Sequence, residues 1–137
     1  AAPMPEPSGS TLTYLVSPPV GNEELNRLFA AAWTDHGWVD FAPVRKHSLA
    51  YICAYDSETL VGFVNVAWDG GIHAFLLDTT VHPDHQRRGV GRRLVELAVA
   101  EARRRGMEWL HVDYEPHLES FYRSCGFAPT LAGLIRL

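Results

Sequence analysis

Between Ile72 and Arg105 the hydrophobic period of the chain changes once, and that change constrains most of what the chain can fold into. "IHAFLLDTTV" is a strongly apolar run that reads as a strand ending at Val81. "HPDHQRR" follows as a connecting loop, in which Pro83 prevents a helical start. From about Gly89 to Arg105 the residues Val90, Leu94, Leu97, Ala98 and Ala102 fall on one stripe of a helix. Gly106 closes that helix, and Arg103, Arg104 and Arg105 suit the negative end of its dipole. A buried strand therefore feeds a long amphipathic helix through "QRRGVG", Gln86 to Gly91.

Such a junction invites an anion. The first N–H groups of a helix have no internal acceptor, and the helix dipole makes that end positive. Gly89 and Gly91 carry no Cβ, so a phosphate can come close to the backbone. Arg87, Arg88 and Arg92 can add charge-assisted contacts. A diphosphate suits this feature better than a lone carboxylate; the bland alternative is a glycine-containing helix entry with solvated arginines. A Walker loop is excluded because GxxxxGK[ST] is absent, and the dinucleotide fingerprint because its third glycine position is Leu94.

The remaining elements are set by the same signals. "TLTYLV" (Thr11 to Val16) alternates as a strand, and Leu25, Leu28, Phe29 and Ala32 mark a helix whose start carries Asn22, Glu23 and Glu24. Residues 34–47 read as a loop with a short helix. "LAYICAYD" and "LVGFVNVAW" form a hairpin across "DSET". "MEWLHVDY" is a short strand, "EPHLESFYRSCGF" a helix opened by Pro116 and ended by Gly126, and "LAGLIRL" a final strand. The expected fold is α+β, a sheet with helices on its faces. Residues 1–10 read as a flexible tail rich in Pro, Gly and Ser, and residues 11–137 as one domain.

Composition narrows the function. The net charge is −4, yet seven of the twelve basic residues lie between Arg87 and Arg105, which suggests a specific small anion and argues against general nucleic-acid binding. Two cysteines, Cys53 and Cys125, make no disulfide framework, and the scattered histidines give no metal spacing, so no metal is expected. No apolar run approaches the roughly 20 residues of a membrane span, and "AAPMPEPSGS" has neither the basic start nor the apolar core of a signal peptide. The expectation is a cytoplasmic protein with no membrane partner.

"VHPDHQRRGVGRRL" resembles the acyl-CoA-binding signature Q/R-x-x-G-x-G/A of the GNAT family of N-acetyltransferases, with Gln86, Gly89 and Gly91 filling it. "SFYRSCGF" resembles the family's second motif, Y-x-x-x-G-F, and stands at the expected distance. The resemblance runs from about Val16 to the C-terminus and implies a mixed, mostly antiparallel sheet with splayed central strands. It implies acetyl-CoA as co-substrate, its pyrophosphate on the loop Arg87, Arg88, Gly89, Val90, Gly91 and Arg92, and its pantetheine arm along Thr79, Thr80 and Val81. An amine of a small molecule or protein would attack the thioester directly, and Tyr122 would protonate the leaving thiolate, since a phenol keeps its proton at neutral pH. The resemblance also allows a homodimer, with Leu131–Leu137 available to pair between chains.

Two positions depart from the family. Glu115 replaces the asparagine that often precedes the tyrosine by seven residues, and a carboxylate cannot donate as an amide does. The commonest position for a carboxylate or imidazole base is Phe75. Asp78, His73, His111 and Asp113 are then the candidates for the base, with Asp78 placed first and a water chain as the other route. Trp33, His36, Trp38 and Phe41 lie where the family walls the acceptor site. The competing reading is an acyl-CoA-binding module without catalysis, which would keep the Gln86–Gly91 loop and lack a working acid.

Overall fold

A computed structural model describes residues 4–5 and 12–137. Six strands lie in chain order across one sheet: β1 (Met4–Pro5), β2 (Leu12–Val16), β3 (Ser48–Asp56), β4 (Thr59–Trp68), β5 (His73–Val81) and β6 (Trp109–His111). All neighbours are antiparallel except β5 and β6, which are parallel. Helix α1 (Asn22–Ala32) and the short α2 (Ala42–Lys46) follow β2; α3 (Val90–Arg104) crosses from β5 to β6; α4 (Glu119–Ser124) follows β6. Of the expected tail, Met4–Pro5 pair with β2, and the other residues before Leu12 lie outside the described residues.

The sheet has two apolar faces because its strands carry apolar residues at nearly every position, as β4 does from Leu60 to Val66. On one face α3 lays down Val90, Leu94, Val95, Leu97, Ala98 and Ala102 against Ile52, Val64, Val66, Ala74 and Leu76. Each large apolar side chain so covered contributes about 1.5–3 kcal/mol relative to exposure. On the other face Leu25, Leu28 and Phe29 of α1 meet Phe41, Cys53, Leu60 and Phe63. Cys53 lies in that second core, and burial pushes its thiol up to about 12, so it acts as a small apolar residue. Arg105 is less solvated than its place at a helix end suggests, for its guanidinium donates to the Leu49 carbonyl at 3.1 Å and ties the end of α3 to β3.

Helix α3 ends in a Schellman cap. Gly106 takes φ +83°, its N–H donates to the Arg103 carbonyl, and the Met107 N–H donates to Ala102. The same construction ends α4 and gives the second motif its physical meaning. Gly126 takes φ +102°, Gly126 N–H donates to Arg123, Phe127 N–H donates to Tyr122, and the Phe127 ring lies 5.9 Å from the Tyr122 ring. Tyrosine, glycine and phenylalanine at this spacing are the residues C3, C′ and C″ of one helix cap.

The expected final strand does not form. Leu131, Leu134, Ile135 and Leu137 are exposed and residues 128–137 pair with no strand. Alternation of apolar residues favours an extended chain, but a strand exists only where an edge receives it. Strand β6 is consequently the edge of the sheet in this structure, rather than a central strand as expected.

Candidate active site

Strands β5 and β6 pair over three positions only, His73 with Trp109, Ala74 with Leu110 and Phe75 with His111. Beyond that point β5 continues to Val81 beside β4, while the other chain leaves as a loop toward α4. The two strands thus bound a wedge that opens toward the start of α3.

On the β5 side of the wedge, Asn65 faces Leu77 and Phe63 faces Thr80, so Asp78 is the extra residue of a β-bulge. It adopts φ +59°, which aspartate tolerates better than most residues do. Its side chain reaches solvent but is crowded by protein, and that desolvation raises its pKa above the ordinary carboxylate value. Thr80 is buried; its hydroxyl donates to the Asp78 carbonyl at 2.9 Å and accepts from the Trp33 indole N–H at 3.3 Å. Thr79 and Val81 flank it at the end of the strand.

At the open end stands the glycine loop. Arg87 and Gly89 have φ +63° and +79°, and Gly89 caps α3. The first helical bond of α3 runs from Arg93 N–H to the Gly89 carbonyl, so the amides of Val90, Gly91 and Arg92 before it have no helical acceptor. A Cβ at Gly89 would meet no protein atom within 4 Å, so this side of the loop is open and the glycine is required by its φ. A Cβ at Gly91 would instead point inward, 3.6 Å from Val81 and 3.7 Å from Phe121. The loop is therefore open to an anion at Gly89, and Gly91 serves the packing behind it.

The arginines divide the same way. Arg87 and Arg88 are exposed with no ion-pair or hydrogen-bond partner among the described residues, free to meet an anion. Arg92 is committed to the protein: its guanidinium donates to Ser124 Oγ at 2.7 Å and to the Ser124 carbonyl at 2.9 Å. Its Nε also lies 3.5 Å from Glu96, so the group it offers at the helix start is its backbone N–H. Gln86 likewise shapes the loop, its amide donating to the Val81 carbonyl at 3.3 Å. His85 Nε2 lies 3.0 Å from Asp56 Oδ2 and pins the same loop to the end of β3.

The Arg92–Ser124 bonds also fix α4 against the loop, and α4 carries Tyr122. That ring is 7% exposed, stacked on Tyr114 at 4.9 Å and edge-on to Phe121 at 4.9 Å. Tyr114 belongs to the segment that continues from β6, so Tyr122 stands in the second wall of the wedge.

Several positioning residues carry no signal in the sequence. Gly62 of β4 lies under the start of α3, where a Cβ would sit 3.0 Å from Leu94 and 3.1 Å from Val90. Asn26 donates to the carbonyls of Asn22 and Val39 and accepts from Val39 N–H, with His36 Nε2 also 2.8 Å from its carbonyl oxygen. Asn22 holds Phe41 N–H and Asp40. These two asparagines fold residues 36–41 back onto α1. Phe41 is buried in the second core, whereas Trp33 and Trp38 remain 51% and 70% exposed on the side of the α1 face. A glutamate or histidine at position 75 is absent as expected; the Phe75 ring instead stacks on His111 at 4.7 Å, and His73 Nδ1 lies 2.8 Å from His111 Nε2.

The wedge, the helix-start loop and the capped tyrosine coincide with a known pattern: the acetyltransferase (GNAT) family matches residues 19–127. The chain belongs to the GNAT family of acetyltransferases. An uncharacterized N-acetyltransferase, ycf52, of Porphyra purpurea is 34% identical over 101 residues, 66% of this chain and 58% of that protein. Serotonin N-acetyltransferase 2, chloroplastic, of Oryza sativa subsp. japonica is 38% identical over 68 residues, 50% of this chain and 34% of that protein. The GNAT chain thus spans about half the length, or less, of these curated relatives. A GNAT-family acetyltransferase structure from Streptococcus pneumoniae TIGR4 superposes with a TM-score of 0.74 at 26% identity, over 92% of this chain and 97% of that one. The aminoglycoside N-acetyltransferase AAC(6')-Iy in complex with CoA shares the fold at a TM-score of 0.73 and 18% identity, over 96% and 97% of the two chains. GNAT-family enzymes take the acyl group they transfer from an acyl-CoA.

Proposed function

We propose that this GNAT enzyme moves an acetyl group from acetyl-CoA to the primary amine of a molecule with an apolar or aromatic body. The observation that carries this is the wedge between β5 and β6, with a helix start of unpaired amides at its mouth and a buried tyrosine in its wall. When bound, acetyl-CoA supplies an activated thioester. The amides of Val90, Gly91 and Arg92, with Arg87 and Arg88, would hold its pyrophosphate, and the backbone of Thr79, Thr80 and Val81 would hold the pantetheine arm. Asp78, at the bulge beside that arm, would draw the substrate ammonium toward the reacting carbon. Tyr122 would give its proton to the departing thiolate. The exposed Trp33, Trp38 and Leu77, with Phe75 beside them on β5, favour an apolar or aromatic acceptor. The relatives named for serotonin and for aminoglycosides represent both kinds of acceptor.

The test is Tyr122→Phe, which keeps the ring, the stack on Tyr114 and the helix cap. Steady-state kinetics with the best amine of a panel should show kcat reduced roughly 10²- to 10⁴-fold, with KM for acetyl-CoA little changed. Wild-type turnover in the Phe variant, with chemistry rate-limiting, would make Tyr122 a packing residue only.

A further inference from the structure

We propose that His73 and His111 act together as the acceptor of the amine proton, His111 facing the reacting nitrogen and His73 passing the proton outward. This rests on the acyl-transfer reading above. Phe75 and His111 are the last paired residues before β5 and β6 part. An arm that runs from the helix-start loop along Val81, Thr80 and Thr79 reaches Asp78 and Leu77 at the narrow end of the wedge. The next residues along that line are Phe75 and His111, in ring contact at 4.7 Å. Phe75 has no proton chemistry, so the neighbouring strand supplies the basic group at the same point.

The 2.8 Å contact between His73 Nδ1 and His111 Nε2 requires one N–H and one lone pair. When His111 Nε2–H donates, His111 Nδ1 keeps a free lone pair. A proton taken there turns the contact into a charge-assisted N–H⁺···N bond, which is stronger than the neutral one. Shifting the shared proton to His73 then frees one from His73 Nε2 to solvent. The pair takes a single proton without losing its contact; a second would set N–H against N–H. Imidazoles exchange protons near neutral pH, where a carboxylate such as Asp78 is a weaker acceptor from an alkylammonium.

The step balances. The alkylammonium gives one proton to His111, the freed amine nitrogen bonds to the acyl carbon, the C–S bond breaks, the thiolate takes the Tyr122 proton, and the second proton leaves the nitrogen for solvent as the amide forms; an amine already neutral skips the first transfer. Release of the first proton from His73 and return of one from solvent to Tyr122 restore the proton count, and exchange with solvent returns the neutral imidazole pair to its starting tautomer. The charged groups on the flanking segments are Asp69, whose carboxylate accepts the His73 backbone N–H at 3.3 Å, and Glu108 and Asp113 on either side of β6.

The experiment compares two acceptors, an alkylamine that is protonated at neutral pH and an aromatic amine that is not. His111→Phe keeps a ring against Phe75. It should lower kcat/KM for the alkylamine roughly 10²-fold or more, leave the aromatic amine within about threefold, and leave acetyl-CoA binding unchanged. His73→Phe should lower the alkylamine rate less and displace the acidic limb of its pH–rate profile. Equal losses with both amines would make the pair structural, and an undiminished alkylamine rate in His111→Phe would also overturn the proposal. Acetyl-CoA binding by a wild-type protein inert toward every amine would overturn the acyl-transfer reading, and the pair with it.

Discussion

Replacement of Gly62 by alanine should loosen the proposed anion site from beneath. Gly62 pairs with Ala54 on one side and Val81 on the other, in the middle of the sheet. The new methyl would sit 3.0 Å from Leu94 Cδ1, 3.1 Å from Val90 Cγ1 and 3.2 Å from Ala54 Cβ. Ala54 is fixed by its strand, so the relief must come from α3, whose first turn holds Val90 and the unpaired amides. Overpacking of this kind costs about 1–3 kcal/mol. Alanine returns about 0.4–1 kcal/mol by restricting the unfolded chain. A net loss of about 1–2 kcal/mol remains, which lowers Tm by roughly 3–8 °C in a domain of this size. Affinity for acetyl-CoA should fall as well, because α3 must lift by a few tenths of an ångström where the phosphates would rest. Thermal unfolding and titration calorimetry measure the two effects, with Gly21→Ala as the control, since a Cβ there meets nothing within 4 Å. A Gly62→Ala protein as stable as wild type, with the same affinity, would refute the idea that close packing at this glycine seats the helix.

Gly89→Ala tests conformation rather than packing: at φ +79° and with open space around the new methyl, it should cost about 1–2 kcal/mol in the left-handed region and weaken acetyl-CoA binding roughly tenfold, and unchanged calorimetric affinity would remove the loop from the binding site. Asp78→Asn tests the crowded carboxyl. Because folding raises this pKa, the folded chain holds the proton more tightly; Asp78 therefore favours the fold below about pH 4, loses that contribution as pH rises through the raised value, and is unfavourable once ionised. Asparagine accepts the same φ and cannot ionise, so in the absence of acyl-CoA the variant should melt higher at pH 7 and the difference should vanish below about pH 4; a difference that does not change with pH would refute the desolvation argument.

The elements that follow from local chemistry were legible in the sequence. The period change at Val81, the glycine entry to α3, Gly106 and Gly126 as helix ends and the hairpin over Ser57 and Glu58 all rest on neighbouring residues, and each is present. What escaped depends on residues far apart in the chain. Trp33 meets Thr80 47 positions later, and His73 meets His111 38 positions later. Gly62 resembles any glycine in a strand until α3 lies on it, and Asn26 resembles a surface residue of a helix until residues 36–39 fold over it. Arg92 looked like an anion ligand because sequence shows charge without showing that Ser124 claims it. The segment Leu131–Leu137 has the alternation of a strand, but alternation says nothing about an available edge.

The three-residue seam between β5 and β6 gives the two walls of the wedge unequal stiffness. Strand β5 is laced to β4 from Ala74 to Val81, whereas the β6 wall is joined to the sheet only from Trp109 to His111. The wall bearing Tyr114 and Tyr122 is held instead by side-chain packing on the main core and, at its far end, by Arg92 and Ser124. On the acyl-transfer reading, a long, narrow ligand seated along β5 would bridge the two walls and tie the one that carries Tyr122 to the strand that is paired along its length.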